Sequence, residues 1–318
     1  MKNSAILLIE CPDRKGLVAA IADFIFQYGG NILHSEQHQA VERNLFLTRV
    51  EWDVAGFQMD LADFPKLFAP IAERFEMRWR FALSSHRPRV AIFVSKYDHC
   101  LVDLLYRHST GELACEIPLV ISNHPDAKRH ADFHGIPYHV VPVTKENKPE
   151  AERRELELLR QPDVELLVLA RYMQVLSPDF IGHYPQCIIN IHHSFLPAFV
   201  GAKPQQQAFD RGVKLIGGTA HYVTEVLDDG PIIEQGVTRI SHRDTLEDLI
   251  QKGTSSRWFS RARFAGRSRT ASCSTATKPS FSIRNARSAQ LAATDRASPR
   301  VRSACSSRWN RCRALLLP

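Results

Sequence analysis

The stretch SSHRPRVAIFV, residues 84–94, separates two sequence patterns. Its first half is polar and closes on Pro88, as a linker does. Its second half is an unbroken apolar run and reads as a buried strand, Val90–Val94. Downstream, similar runs recur at Leu119–Ser122, Tyr138–Val143, Leu166–Ala170 and Cys187–Ile191. The segments between them predict helices beginning near His99, Asp126, Lys148 and Ser177. Continuous apolar strands alternating with helices imply an α/β domain whose mostly parallel sheet is covered on both faces. Ligands of such sheets bind beyond the carboxyl ends of the strands. No G-x-G-x-x-G or Walker loop is present, so no bound dinucleotide or nucleoside triphosphate is expected.

Upstream of the linker the rhythm differs. Ala5–Cys11 reads as a buried strand and Pro12–Gly16 as a turn. Leu17–Tyr28 reads as a helix with Leu17, Ile21, Phe24 and Ile25 on one face. Gly29-Gly30 ends that helix. Ile32–His38 and Leu45–Asp53 are strand candidates, Asp60–Phe75 a second helix and Met77–Leu83 a last strand. The order βαββαβ predicts a ferredoxin-like sandwich. The expected partition is residues 1–84, residues 88–253, and a remainder, 254–318.

That remainder distorts the overall charge. The 318 residues carry a formal net charge of +7, yet 254–318 hold 13 Arg, one Lys and one acidic residue. Residues 1–253 therefore carry 27 basic and 33 acidic side chains. A basic average invites a nucleic-acid reading, but here it rests on one end only, and no nucleic-acid partner is expected. The seven Cys are odd in number and contain no C-x-x-C. This argues against a disulfide framework or a zinc site and suits a reducing, cytoplasmic compartment. No signal peptide and no apolar run of about 18 residues is seen, so no membrane partner is expected.

Three groups of motifs then carry a resemblance. ECPDRKGLVAAIADFIFQYGGNILHSEQH opens the first domain. SKYDHCLVDLL, GIPYHVVPVTKENK and LARYMQVLS mark the second. The most specific are NIHHSFLPAFVGAKP and GGTAHYVTEVLDDGPIIEQ. Over about residues 4–253 the chain resembles the formyltetrahydrofolate deformylases. The resemblance implies an ACT domain followed by a Rossmann-like formyltransferase domain. The N-I-H…L-P core and the later Asp are shared with the wider folate-dependent formyltransferases, while the double His and the ACT domain point to the hydrolase. It implies hydrolysis of 10-formyltetrahydrofolate to formate and tetrahydrofolate, supplying formate for purine synthesis and balancing one-carbon pools. No separate cofactor and no metal are implied. Alternatives are formyl transfer to an amine, or a catalytically dead amino-acid sensor.

Spacing supports the implied chemistry without deciding it. Asn190 and His192 stand at i and i+2 at a strand end and so face one way. An amide N–H and an imidazolium both suit a tetrahedral oxyanion. A carboxylate can orient the His, raise its pKa and take a proton from water. On residues alone, Asn190 and His192 can equally be a loop-capping pair, and Asp228-Asp229-Gly230 a turn. The resemblance assigns Asn190, His192 and Asp228 as the catalytic trio, with Asp228 preferred over Asp229. It places substrate near Arg171, Tyr172, Met173 and Val175, through backbone groups at a pterin edge or as a plain strand-to-helix connection. His193 is either a substrate contact or a satisfied buried histidine, and Lys203 either meets the substrate's polar parts or is solvated. Gln205-Gln206 depart from the aromatic and basic residues usual after GAKP. The ACT resemblance implies a homo-oligomer with an amino-acid effector near Asp13, Gly16, Asn31 and Ile32; the other reading is that this domain only oligomerises.

Residues 254–318 lack periodicity and contain 13 Ser as well as 13 Arg. Back-translated and shifted by one base, Ser274–Ser282 accommodates YGNKTVIF, close to the family's closing strand. The shifted Trp258–Phe259 junction can encode only Val. The expectation is a one-base frameshift near Thr254, with 254–318 not forming a folded domain. The other reading is a Ser/Arg-rich disordered or nucleic-acid-binding tail.

Overall fold

The computed structural model describes residues 3–198 and 204–253. Lys203 and the stretch 254–318, with the frameshift expectation, lie outside the described residues.

The N-terminal part follows the expected βαββαβ order. Its strands are β1 (Ser4–Pro12), β2 (Asn31–Ala40), β3 (Leu45–Asp53) and β4 (Arg78–Leu83), and its helices are α1 (Leu17–Gln27) and α2 (Phe64–Arg74). The strands form one antiparallel sheet in the order β2-β3-β1-β4. Both helices pack on one face, where Leu17, Ile21, Phe24 and Ile25 meet Trp52, Phe64 and Phe68. Aromatic rings dominate this core; Phe64 stacks on Phe81 at 4.2 Å between centroids. Gly30 lets the chain turn from α1 into β2, because a Cβ there would stand 2.5 Å from Ile25 Cγ2. The second helix starts four residues later than expected. Asp60 Oδ1 accepts the Ala62 N–H at 2.9 Å, and the Asp63 N–H bonds the Asp60 carbonyl. This local turn claims backbone groups that an earlier helix would need.

The second part holds β5 (Val90–Val94), α3 (His99–Ser109), β6 (Val120–Ser122), α4 (Lys128–Phe133), β7 (Tyr138–Val140), α5 (Lys148–Arg160), β8 (Leu166–Ala170), α6 (Pro178–His183), β9 (Ile188–His192), α7 (Pro204–Asp210), β10 (Leu215–Tyr222), β11 (Ile232–Arg239) and α8 (Leu246–Gly253). Among the described residues the sheet has seven strands in the order β11-β10-β9-β8-β5-β6-β7. The five strands from β9 to β7 run parallel; β10 and β11 are antiparallel additions that the sequence analysis did not contain. β7 stops at Val140, three residues short of expectation, just ahead of Pro142, which has no N–H for a ladder.

Both faces are covered. On β5, Val90, Ile92 and Val94 pack with α3 and α4 residues, while Ala91 and Phe93 pack with α5 and α6. Burying side chains of this kind stabilises by about 1.5–3 kcal/mol each. The chain leaves β5 toward β6 and β7, then returns to lay β8 on the other side of β5. The crevice at that reversal, beyond the carboxyl ends of β5, β8 and β9, is where an open α/β sheet accepts a ligand.

Candidate active site

Strand β9 delivers Asn190 and His192 to one face at its carboxyl end. Their neighbours Ile189 and Ile191 are buried on the other. Antiparallel β10 sets Thr219 opposite His192 and His221 opposite Asn190. The turn after β10 brings back Asp228, whose φ of +55° is in the left-handed region. Asp tolerates this region better than most residues. The turn closes tightly on β10: a Cβ at Gly230 would stand 1.7 Å from the Tyr222 carbonyl oxygen, so only glycine fits.

The expected trio therefore assembles. His192 Nδ1 lies 3.4 Å from Asp228 Oδ2, with the side chains only 10% and 5% exposed. His221, which the sequence analysis missed, sits at the centre. Its Nε2 is 3.6 Å from Asp228 Oδ1 and 3.2 Å from Asn190 Nδ2. Its Nδ1 is 2.9 Å from the Tyr222 carbonyl, which can only accept, so Nδ1 carries the proton. In the neutral ring Nε2 is then an acceptor for an Asn190 N–H. One Asn190 N–H is thereby directed at His221.

The β8–α6 loop supplies the other wall. Arg171 holds φ +57° and its guanidinium lies 5.0 Å from the centroid of the exposed Tyr97 ring. Met173 and Val175 are exposed at 63% and 56%. Tyr172 is turned into the core, where its hydroxyl donates to Glu155 Oε1 at 2.7 Å. Burial pushes the Glu155 carboxyl up to about 7, against the opposing effect of the Tyr172 hydrogen bond. The loop is fastened twice more. The Met173 N–H donates to Ser95 Oγ at 3.0 Å, and the Ser177 N–H to Glu152 Oε1 at 2.9 Å. Ser95 Oγ in turn donates to Asn123 Oδ1 at 2.7 Å, so one buried hydroxyl ties together the segments that follow β5, β6 and β8. Neither Ser95 nor Glu155 was legible as a site support, since a lone Ser or Glu gives no pattern.

His193 leaves the strand on the other side of His192. Its Nε2 lies 3.6 Å from Cys100 Sγ, and its carbonyl accepts from Gln205 Nε2 at 3.1 Å. The departure at Gln205 thus ties α7 to the strand end. Gln206 Nε2 donates to Asp210 Oδ1 along α7. Thr219, fully buried, donates to the Ser194 carbonyl and accepts the Leu196 N–H, which shapes the next turn. Among the described residues, one group has metal-ligand chemistry: His99, Cys100 and His193.

The expected effector residues fall in two places. Asp13 accepts from Gln39 Nε2, and Gly16 holds φ +90° before α1. Asn31 and Ile32 open β2 after that helix. On the β3 ladder Asn31 pairs with Asp53 and Ala40 with Leu45, so the two groups lie roughly 27 Å apart along the sheet. Within one chain the structure does not bring them together.

Comparison with known proteins fits this geometry. Residues 88–258 match the formyl transferase family model and residues 5–64 the ACT domain model. A formyltetrahydrofolate deformylase of Synechocystis sp. is 53% identical over 254 residues, covering 80% of this chain and 89% of the relative. The chain belongs to the formyltetrahydrofolate deformylase family. The deformylase of Bacillus subtilis is 50% identical over 248 residues, covering 78% of this chain and 83% of the relative. The crystal structure of a Pseudomonas syringae formyltetrahydrofolate deformylase is 44% identical with a TM-score of 0.80, covering 82% of this chain and 88% of that one. Deformylases thus match across both parts of the chain, and the ACT plus formyltransferase architecture is that of the family.

Proposed function

We propose that the chain hydrolyses 10-formyltetrahydrofolate to formate and tetrahydrofolate. The observation that carries this reading is the convergence of Asn190, His192 and Asp228 at the carboxyl end of β9 in a chain of deformylase ancestry. Asp228 orients His192 and accepts a proton from the attacking water. The water oxygen bonds the formyl carbon, and the free Asn190 N–H and His192 stabilise the oxyanion. The C–N10 bond then breaks as N10 takes back the proton that Asp228 accepted, and the formic acid leaves as formate after losing its proton to solvent. The pterin lies against the exposed backbone between Arg171 and Val175, with Arg171, Met173, Val175 and Lys203 at the substrate, while His193 is the half-buried histidine facing Cys100. Tyr172 serves by holding the loop to Glu155. No separate cofactor takes part.

The ACT part binds a small amino acid where two protomers meet, with Asp13 and Gly16 of one chain and Asn31 and Ile32 of the other. The distance between these groups within one chain supports that reading. The reaction belongs in the cytoplasm, where its formate feeds purine synthesis. The functional units are residues 1–84 and 88–253, and 254–318 is the product of a frameshift.

The test is formate release from 10-formyltetrahydrofolate with no amine acceptor, using this chain and a frame-restored version. Release by both supports the hydrolase with a dispensable tail. Release by the restored chain alone supports the hydrolase and makes this chain a broken copy. Formyl transfer only on adding an amine points to a transferase. No turnover by either overturns the proposal.

A further inference from the structure

His99 and Cys100 open α3, and His193 follows β9, so two sheet connections meet at this point. One ligand atom from each residue lies within 4.8 Å of the other two. Cys100 is 1% exposed, and His99 Nε2 is buried with no hydrogen-bond partner. The two imidazole centroids are 5.7 Å apart. We propose that His99, Cys100 and His193 form a three-donor site for a divalent transition metal of the zinc class, with the fourth position left to water or a small ligand.

The distances fit. Metal–sulfur and metal–nitrogen bonds of about 2.3 and 2.0–2.1 Å, meeting at a tetrahedral angle, separate sulfur from nitrogen by about 3.5 Å. Cys100 Sγ and His193 Nε2 are 3.6 Å apart. One thiolate and two imidazoles select zinc-like ions over magnesium or calcium, which prefer oxygen. Binding replaces the S–H bond with an S–metal bond and releases the proton to solvent. The Arg171 guanidinium acts on both Cys100 and His99. Burial pushes the Cys100 thiol up to about 12, with the guanidinium opposing that rise, so an incoming metal must displace the thiol proton.

The metal has no step in formyl hydrolysis. It staples the start of α3 to the backbone immediately after His192, and so steadies that catalytic side chain. A C-x-x-C search overlooks such a site, because its ligands are an adjacent His-Cys pair and a histidine 93 residues away.

The experiment uses the full chain, loaded with zinc or cobalt(II) and then desalted. The wild type is expected to hold one equivalent of zinc more than Cys100→Ala. Its cobalt form is expected to show a thiolate-to-cobalt charge-transfer band that Cys100→Ala loses. Counting the difference removes any metal held by cysteines elsewhere in the chain. His99→Gln provides a second comparison should Cys100→Ala fail to fold by circular dichroism; zinc should raise Tm in the wild type and not in His99→Gln. Equal zinc in wild type and variant, or a cobalt form without the thiolate band, overturns the proposal and leaves an S–H···N hydrogen bond only.

Discussion

Asp228 holds its carboxylate between two imidazoles, with His192 on one oxygen and His221 on the other. Asp228→Asn keeps the shape and removes the charge and the base. We expect kcat to fall about a hundred- to a thousand-fold, with KM nearly unchanged, in a formate-release assay. His221 was not legible in advance. A polar residue within a strand normally reads as solvent-facing, and its partnership with Asn190 exists only through the β9–β10 pairing. Asn190, His192 and Asp228 were legible because motifs carried them; spacing alone also allowed a capping pair and a turn. Glu155 makes a separate prediction about stability. Its folded-state pKa is raised from 4.5 to about 7, so the fold favours the protonated form. That contribution is fully present below about pH 4.5 and is lost as pH rises through about 7. Over that window the linkage amounts to about 3 kcal/mol. Glu155→Gln should flatten this slope, matching wild type in denaturant unfolding at pH 5 and exceeding it at pH 8.

At the scale of elements, β5 and β8 were legible because they are buried on both faces and therefore uniformly apolar. Val90–Val94 and Leu166–Ala170 agree residue for residue with expectation. β10 was not, although Ile216–His221 are all buried. Gly217, Gly218, Thr219 and His221 break the apolar run. The structure shows why three of them are needed: Gly217 faces the Gly236 carbonyl at a distance no Cβ permits, Thr219 shapes the 194–196 turn, and His221 meets Asp228. The loop after β8 makes a prediction at this scale. Ser95→Ala removes the acceptor of the Met173 N–H and the donor to Asn123, which costs about 1–3 kcal/mol of local order. Because that loop is where the pterin is proposed to bind, KM for the folate should rise several-fold with kcat largely kept, measured by steady-state kinetics.

At the scale of the molecule, two cores form on either side of the 84–88 linker, one rich in aromatic rings and one built around a parallel sheet. The change of rhythm at Pro88 made that division legible. Effector sensing belongs to this scale. Glycine or methionine, which report one-carbon supply and demand, should shift kcat or KM in the full chain, and Asn31→Ala should abolish the shift while leaving basal turnover intact. Resequencing the gene tests the origin of the tail. An intact shifted frame ending soon after the YGNKTVIF-like stretch is expected; a relative carrying the tail in its own frame would refute the frameshift.

The proposed catalysis depends on a pairing made late along the chain. Two rungs of one antiparallel ladder, Asn190 with His221 and His192 with Thr219, hold the groups proposed to react. A slip of a single residue would swing β10's contribution to the opposite face. Turnover is therefore a clock for refolding: formate can appear only after the last strands have docked in the right alignment. Helix signals are expected to recover earlier, so a lag between circular dichroism and activity would time the closing of that ladder.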